Sequence, residues 1–286
     1  MNEFYKRISK STKHVLYQYM KDYDTSLLDY NFNCFFKYCI QKYNIQVISH
    51  HFSNHKIEGL TVIDELGVSF SYEKDNPIVK QNFTLCHELG HFILKHEGTY
   101  FAESIDNQGS ILEREANIFS AVVLMPDIVL LSKIFYSCDV FQQIQNDLRV
   151  SKQALFFRIL DLLREYYPGK ESSIKQAIED YIDGQNASLI LFFHSIKEQI
   201  IKEFNDYQAS LINKIERSVS KRGFVTSQEY PELLKQENWK AIKTCHDNLK
   251  VWLIYDKGKS IAYVWDKNRL TDKEAKQKAE LKLLLM

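Results

Sequence analysis

The sequence predicts an α+β protein: a domain of small mixed sheet plus helices, one helix carrying an H-E-x-x-H motif and another a downstream glutamate, then a mainly helical C-terminal domain with a β-hairpin. Three features predict it. Apolar residues recur at helical spacing over 15–40, 83–94 and 112–123; short alternating runs fill 45–72; and two aromatic-rich alternating runs flank Asp256-Lys257-Gly258-Lys259. With 286 residues, 45% of them hydrophobic, the chain is long enough for a sizeable core and for two domains. Tyr167-Pro168-Gly169-Lys170-Glu171-Ser172-Ser173 marks the boundary by composition, giving domains 1–168 and 169–286.

The 37 basic and 37 acidic residues cancel, which argues against a non-specific grip on nucleic acid or an anionic membrane; no direct nucleic-acid binding is expected. No run approaches the roughly 18 apolar residues of a membrane span, and the start lacks the apolar centre of a signal peptide, so a cytoplasmic location is expected. Cys34, Cys39, Cys86, Cys138 and Cys245 are scattered and odd in number. They read as free thiols, with neither a disulfide framework nor a thiolate zinc site.

Taken in order, Val15, Tyr19 and Tyr23, then Phe32, Phe35, Phe36, Cys39 and Ile40, predict one or two packing helices ending near Asn44. Ile45-Gln46-Val47-Ile48, Gly59-Leu60-Thr61-Val62-Ile63 and Val68-Ser69-Phe70-Ser71-Tyr72 predict short strands, the last two joined by a turn at Glu65-Leu66-Gly67. His50, His51 and His55 fall between strands without helical geometry and read as solvated. Asp75-Asn76-Pro77 closes the sheet region, and a helix follows directly.

That helix holds His87-Glu88-Leu89-Gly90-His91. Histidines four apart lie about 40° apart around a helix, so both imidazoles can reach one metal. Phe83, His87, Gly90, His91 and Leu94 share one stripe, which places the histidines among residues expected to be buried, where a polar group needs a partner. Glu88 borders the open side, as a base beside a zinc with an open coordination position would. Cys86 reads as a small buried hydrophobe, with a thiol reaching the metal as the alternative. The polar, glycine-bearing stretch 97–109 reads as a loop or lid beside the site.

A second helix, 112–124, is stopped by Pro126. It carries two acids that compete for the third metal position. Glu115 joins the apolar stripe of Leu112, Ala116, Phe119, Val122 and Val123, whereas Glu113 aligns with Asn117 and Ser120 on the more polar side. A buried carboxylate needs a cation, which favours Glu115 as the ligand; the alternative is a buried ion pair with Arg114 or Arg158.

Asn82-Phe83-Thr84-Leu85-Cys86-His87-Glu88-Leu89-Gly90-His91, with Glu113-Arg114-Glu115-Ala116-Asn117-Ile118-Phe119-Ser120-Ala121 and Leu124-Met125-Pro126, resembles the ImmA/IrrE family of bacterial and phage metallopeptidases. The resemblance extends more weakly over about 30–165, where 141–166 looks like the small helical segment of that family; a helix-turn-helix reader is the alternative for it. The resemblance implies a zincin fold with Zn2+ held by His87, His91 and Glu115 and with Glu88 as the catalytic base. Phe119 stands where thermolysin-like enzymes carry a further carboxylate, so the groups behind the ligands stay unassigned. His96 and Tyr100 are candidates for steadying an oxyanion, and the 67–72 strand is expected to be the rim on which an extended substrate lies.

The family resemblance also implies a protein substrate, a DNA-binding helix-turn-helix repressor of a mobile element or stress response, cut with narrow specificity. The rival expectation is a zinc-containing regulatory or interaction protein that binds a partner without proteolysis. Beyond 168 the resemblance ends. One long or broken helix is predicted over 186–219, a hairpin of Val251-Trp252-Leu253-Ile254-Tyr255 with Ile261-Ala262-Tyr263-Val264-Trp265, and a last helix over 272–284. Trp252, Tyr263 and Trp265 are expected in the core, with a recognition surface as the alternative. The 97–109 loop is a candidate gate and 169–286 a candidate substrate or regulatory module.

Overall fold

The computed structural model describes residues 3–51, 57–65, 67–96, 98, 100–104, 110–245 and 247–286, in a mixed α+β architecture. His55, Leu66 and most of the 97–109 stretch lie outside the described residues. The chain divides into two compact units, residues 1–20 with 24–207, and residues 21–23 with 208–286.

In the first unit, helix α1 (Glu3–Asp22) and helix α2 (Phe32–Tyr43) precede the sheet. Asn31 caps α2 by accepting from Asn33 N, and Asn44, in the left-handed region at φ 51°, ends it and delivers the chain into strand β1 (Ile45–His50). Strands β2 (Ile57–Asp64) and β3 (Gly67–Glu73) follow. The helix with both histidines is α3 (Ile78–Ile93), and strand β4 (Tyr100–Ser104) comes next. The sheet order is β1-β3-β2-β4, with β1 parallel to β3 and the other pairs antiparallel.

Two expectations change here. The 67–72 strand is interior, hydrogen-bonded to β1 on one side and β2 on the other, so its backbone has no edge to offer an extended substrate. Part of the stretch read as a polar loop is β4, the outer neighbour of β2. A short edge strand needs no long alternation of its own, because one paired side suffices to hold it.

Helix α4 (Ile111–Leu124) packs on α3; α5 (Asp127–Leu131) runs on into a π-helical turn, Ser132–Tyr136. Helices α6 (Phe141–Leu148), α7 (Lys152–Tyr166), α8 (Glu171–Ile182) and α9 (Ala187–Asn205) complete the unit. Its core joins Leu16, Phe35, Phe119 and Leu160 with Ile178 and Phe193 in one cluster. Because α8 and α9 bury their apolar stripes in that core, the division falls after Tyr207 and not at 168/169; Pro168-Gly169 is a turn between α7 and α8. A buried ionic group ties α1, α5 and α7: Asp127 pairs with Lys13 at 2.5 Å and with Arg158, whose Nε also donates to Met125 O.

In the second unit, helix α10 (Leu211–Arg222) leads to strand β5 (Phe224–Thr226), a 3-10 turn at Pro231–Leu234 and helix α11 (Glu237–Cys245). The expected hairpin is strands β6 (Leu249–Asp256) and β7 (Lys259–Asp266), antiparallel in a sheet of order β5-β7-β6. Lys257 at φ 48° and Gly258 at φ 82° both take the left-handed conformation that a two-residue hairpin turn requires. Alternation along β7 sends Ala262 and Val264 to one core and Ile261, Tyr263 and Trp265 to another, the latter against Ala275 and Ala279 of helix α12 (Asp272–Leu284). Tyr263 and Trp265 are therefore core as expected, whereas Trp252 is 59% exposed.

The predicted 186–219 helix is broken, since α9 ends at Asn205 and α10 begins at Leu211. Cys34, Cys39, Cys86 and Cys138 are free thiols, and Cys86 is buried in the first unit's core as a small hydrophobe. No single described helix is long and apolar enough to cross a membrane.

Candidate metal centre

Helix α3 opens behind Pro77 and is buried along most of its last two turns, where His87, Glu88 and His91 are each 1% exposed or less. Gly90 lets α4 approach this face: a Cβ there would lie 3.2 Å from Ala116 Cα and 3.1 Å from Phe119 Cδ1. Helix α4 is started by Ser110, whose hydroxyl accepts from Glu113 N. Glu113 and Asn117, one turn apart, then face α3 across the gap that Gly90 keeps narrow.

Three donor atoms converge. His87 Nε2 lies 3.0 Å from His91 Nε2 and 2.9 Å from Glu113 Oε2, and His91 Nε2 lies 3.6 Å from Glu113 Oε1. His87, His91 and Glu113 form a group able to hold a metal ion. Ligands at about 2.0–2.1 Å on a tetrahedral ion stand about 3.3 Å apart, so this triangle has the right size. The donor chemistry fits too. His87 Nδ1 donates to Asn117 Oδ1 at 3.0 Å, which leaves Nε2 with a lone pair aimed at the other two atoms. Burial, with the His87 charge beside it, pushes His91 down to about 3, keeping it neutral and able to act as a ligand. Burial alone would raise the Glu113 carboxyl, but the His87 hydrogen bond and the histidine charges together hold it below its ordinary value.

The carboxylate that joins the two histidines in this group is Glu113, and the expected Glu115 lies outside it. Glu115 is indeed on the buried stripe, 9% exposed, but it accepts from Arg7 Nη2 at 2.6 Å and lies 2.9 Å from His96 Nε2. Glu113, on the more polar side of α4, is the acid that lies beside His87 and His91, whereas the more buried Glu115 lies beside Arg7 and His96. The alternative of a buried ion pair holds for Glu115, with Arg7 as the partner in place of Arg114 or Arg158.

Glu88 points to the sheet side. Thr61 Oγ1 donates to Glu88 Oε2 at 2.5 Å, and a Cβ at Gly59, two residues back on β2, would lie 2.5 Å from Glu88 Oε1. The sequence pattern could not single out Thr61 or Gly59, since their role arises from strand β2 crossing α3. His96, considered as an oxyanion donor, sits behind His91 with Nδ1 2.8 Å from His91 Nδ1. The αL turn at Lys95 (φ 57°) folds it back there, with His96 N donating to His91 O. The Tyr100 side chain lies outside the described residues. His51, read as solvated, pairs at the surface with Asp75 at 2.7 Å and is 54% exposed.

Residues 40–160 match the family model for peptidase M78, described as the IrrE N-terminal-like domain. No curated protein matches the chain. The matched stretch runs from the end of α2 into α7 and includes both histidines, Glu88 and Glu113, but not Arg7. Over this stretch the chain is similar to the ImmA/IrrE-type metallopeptidase domain, a similarity that implies a metal at a centre such as this one.

Proposed function

We propose that the protein is a zinc-dependent endopeptidase of narrow specificity that cuts a DNA-binding helix-turn-helix regulator. The observation that carries the hydrolytic part is the convergence of His87, His91 and Glu113 next to a buried Glu88 held by Thr61. A zinc ion, when bound, supplies a Lewis acid for the peptide carbonyl and acidifies water near neutral pH. His87 and His91 offer Nε2, and Glu113 a carboxylate oxygen, to hold it. Glu88 removes the proton from the attacking water and delivers it to the leaving amine. Thr61 fixes one oxygen of Glu88, so the carboxylate turns little between those two transfers.

Substrate placement along β4 is supported by its position as the outer strand beside β2, which also makes contact with α3. A cleft of about 580 Å³, lined in part by Phe4, Arg114, Asn117 and Arg164, adjoins the centre at Asn117. The choice of a repressor as substrate rests on the family resemblance and on the hazard that broad proteolysis would pose. Residues 208–286 are suited to selecting that substrate by raising its local concentration.

The test has two arms. Metal analysis should find about one zinc per chain, lost in Glu113→Ala and kept in Glu88→Gln. Co-expression with the product of the neighbouring gene, followed by mass spectrometry, should give defined fragments with the unaltered chain and none with Glu88→Gln. Zinc retained by Glu113→Ala would remove the ligand assignment. Rapid casein digestion would contradict narrow specificity.

A further inference from the structure

Behind the candidate centre a row of side chains leads away from His91 and ends at the surface on α1. His91 Nδ1 lies 2.8 Å from His96 Nδ1; His96 Nε2 lies 2.9 Å from Glu115 Oε2; Arg7 Nη2 donates to Glu115 Oε1 at 2.6 Å. His91, His96 and Glu115 are buried, and the Arg7 side chain is 65% exposed. We infer that Arg7, Glu115 and His96 are positioning residues that select the tautomer of His91 and thereby keep its Nε2 available as a metal ligand. This rests on the reading of His87, His91 and Glu113 as the metal site.

A carboxylate accepts, and with Arg7 donating to one oxygen of Glu115 the other oxygen faces His96 Nε2 at 2.9 Å, so that nitrogen carries a hydrogen. A neutral imidazole has one N–H, which leaves His96 Nδ1 as an acceptor. The short contact between the two Nδ1 atoms needs one hydrogen between them, so it belongs to His91. His91 Nε2 is then left with its lone pair, 3.0 Å from the corresponding atom of His87. His87 Nδ1 faces the Asn117 amide oxygen directly, whereas His91 Nδ1 faces a second imidazole. The usual arrangement passes the ligand's N–H directly to a carboxylate or carbonyl; here His96 extends it by one ring. Geometry supports the same role, because the αL turn at Lys95 is what returns His96 to His91. Arg7 lies outside the matched 40–160 domain, so this outermost link comes from α1.

The experiment uses the full chain with His96→Ala, His96→Gln, Glu115→Gln and Arg7→Ala. Zinc affinity is read by competition with a chelator, and ring-nitrogen NMR of the metal-free protein reads the His91 tautomer. The unaltered chain should show His91 with its hydrogen on Nδ1. His96→Ala should weaken zinc binding about 10–100-fold and shift His91 toward the Nε2–H form. Glu115→Gln should fall between, and Arg7→Ala should have the smallest effect. His96→Gln, whose amide oxygen accepts from the same nitrogen, should restore most of the loss. An Nε2–H tautomer in the unaltered chain, or zinc affinity in His96→Ala within twofold of it, would overturn the inference. If His96→Ala fails to fold, Glu115→Gln decides by the same two readings. No zinc binding by a chain that shows the Nδ1–H tautomer would instead overturn the metal reading.

Discussion

Gly90→Ala probes whether the close contact of α3 and α4 sets the geometry of the centre. The added Cβ would sit 3.1 Å from Phe119 Cδ1, 3.2 Å from Ala116 Cα and 3.3 Å from Phe119 Cβ. Favourable carbon contacts lie at about 3.5–4.0 Å, so something must move by a few tenths of an ångström. The phenyl ring can tilt; Ala116 Cα is backbone and moves only if the helices part. Overpacking of this kind costs about 1–3 kcal/mol, and alanine returns about 1 kcal/mol of helix propensity. The net loss is about 0–2 kcal/mol, or at most roughly 8 °C in the Tm of a unit this size. Parting the helices also carries Glu113 away from His87 and His91. Metal–ligand distances tolerate only about 0.2 Å, so zinc affinity should fall by about tenfold or more, a larger fractional effect than on stability. Calorimetry of the metal-free chain and chelator competition read the two quantities separately. Adding Phe119→Leu should recover part of the Tm without restoring affinity, because the Ala116 contact remains. Unchanged zinc affinity, or a Tm raised by helix propensity alone, would refute this account of Gly90.

Gly59→Ala should leave zinc affinity near normal and lower peptide cleavage by up to about 100-fold, since a Cβ there would clash with Thr84 Cγ2, lie 2.5 Å from Glu88 Oε1 and displace the base. Parallel cleavage and metal assays check it, and equal turnover would sink it. Asp127→Ala, which leaves Lys13 and Arg158 buried without their shared carboxylate, should cost about 3–5 kcal/mol in denaturant unfolding. Burial would raise the Asp127 carboxyl, but Lys13 and Arg158 hold it below its ordinary 3.8. Its contribution is therefore present above about pH 4 and lost as pH falls further, at about 1.4 kcal/mol per pH unit, a slope that Asp127→Ala should lack.

Features set within a few residues of one another along the chain are legible from their order alone. Histidines four apart on an apolar helical stripe place both imidazoles together wherever that helix packs, and Glu88 follows from the same turn. The hairpin of β6 and β7 was equally legible, because a tight turn with Gly258 at positive φ joins two alternating runs. Tertiary structure decided what depends on how elements meet. Glu113 and Glu115 are two residues apart, and that Glu113 meets His87 while Glu115 meets His96 depends on the face of α4 that Gly90 admits. The same holds for Thr61 against Glu88, where a strand must cross the helix, and for Arg7, 108 residues from the carboxylate it pairs with. The chain division at Tyr207 was hidden because Pro168-Gly169 marks only a turn, while the burial of Ile178 and Phe193 in the first unit's core is a non-local fact. Periodicity reports that a face is apolar, and packing alone settles which other face covers it.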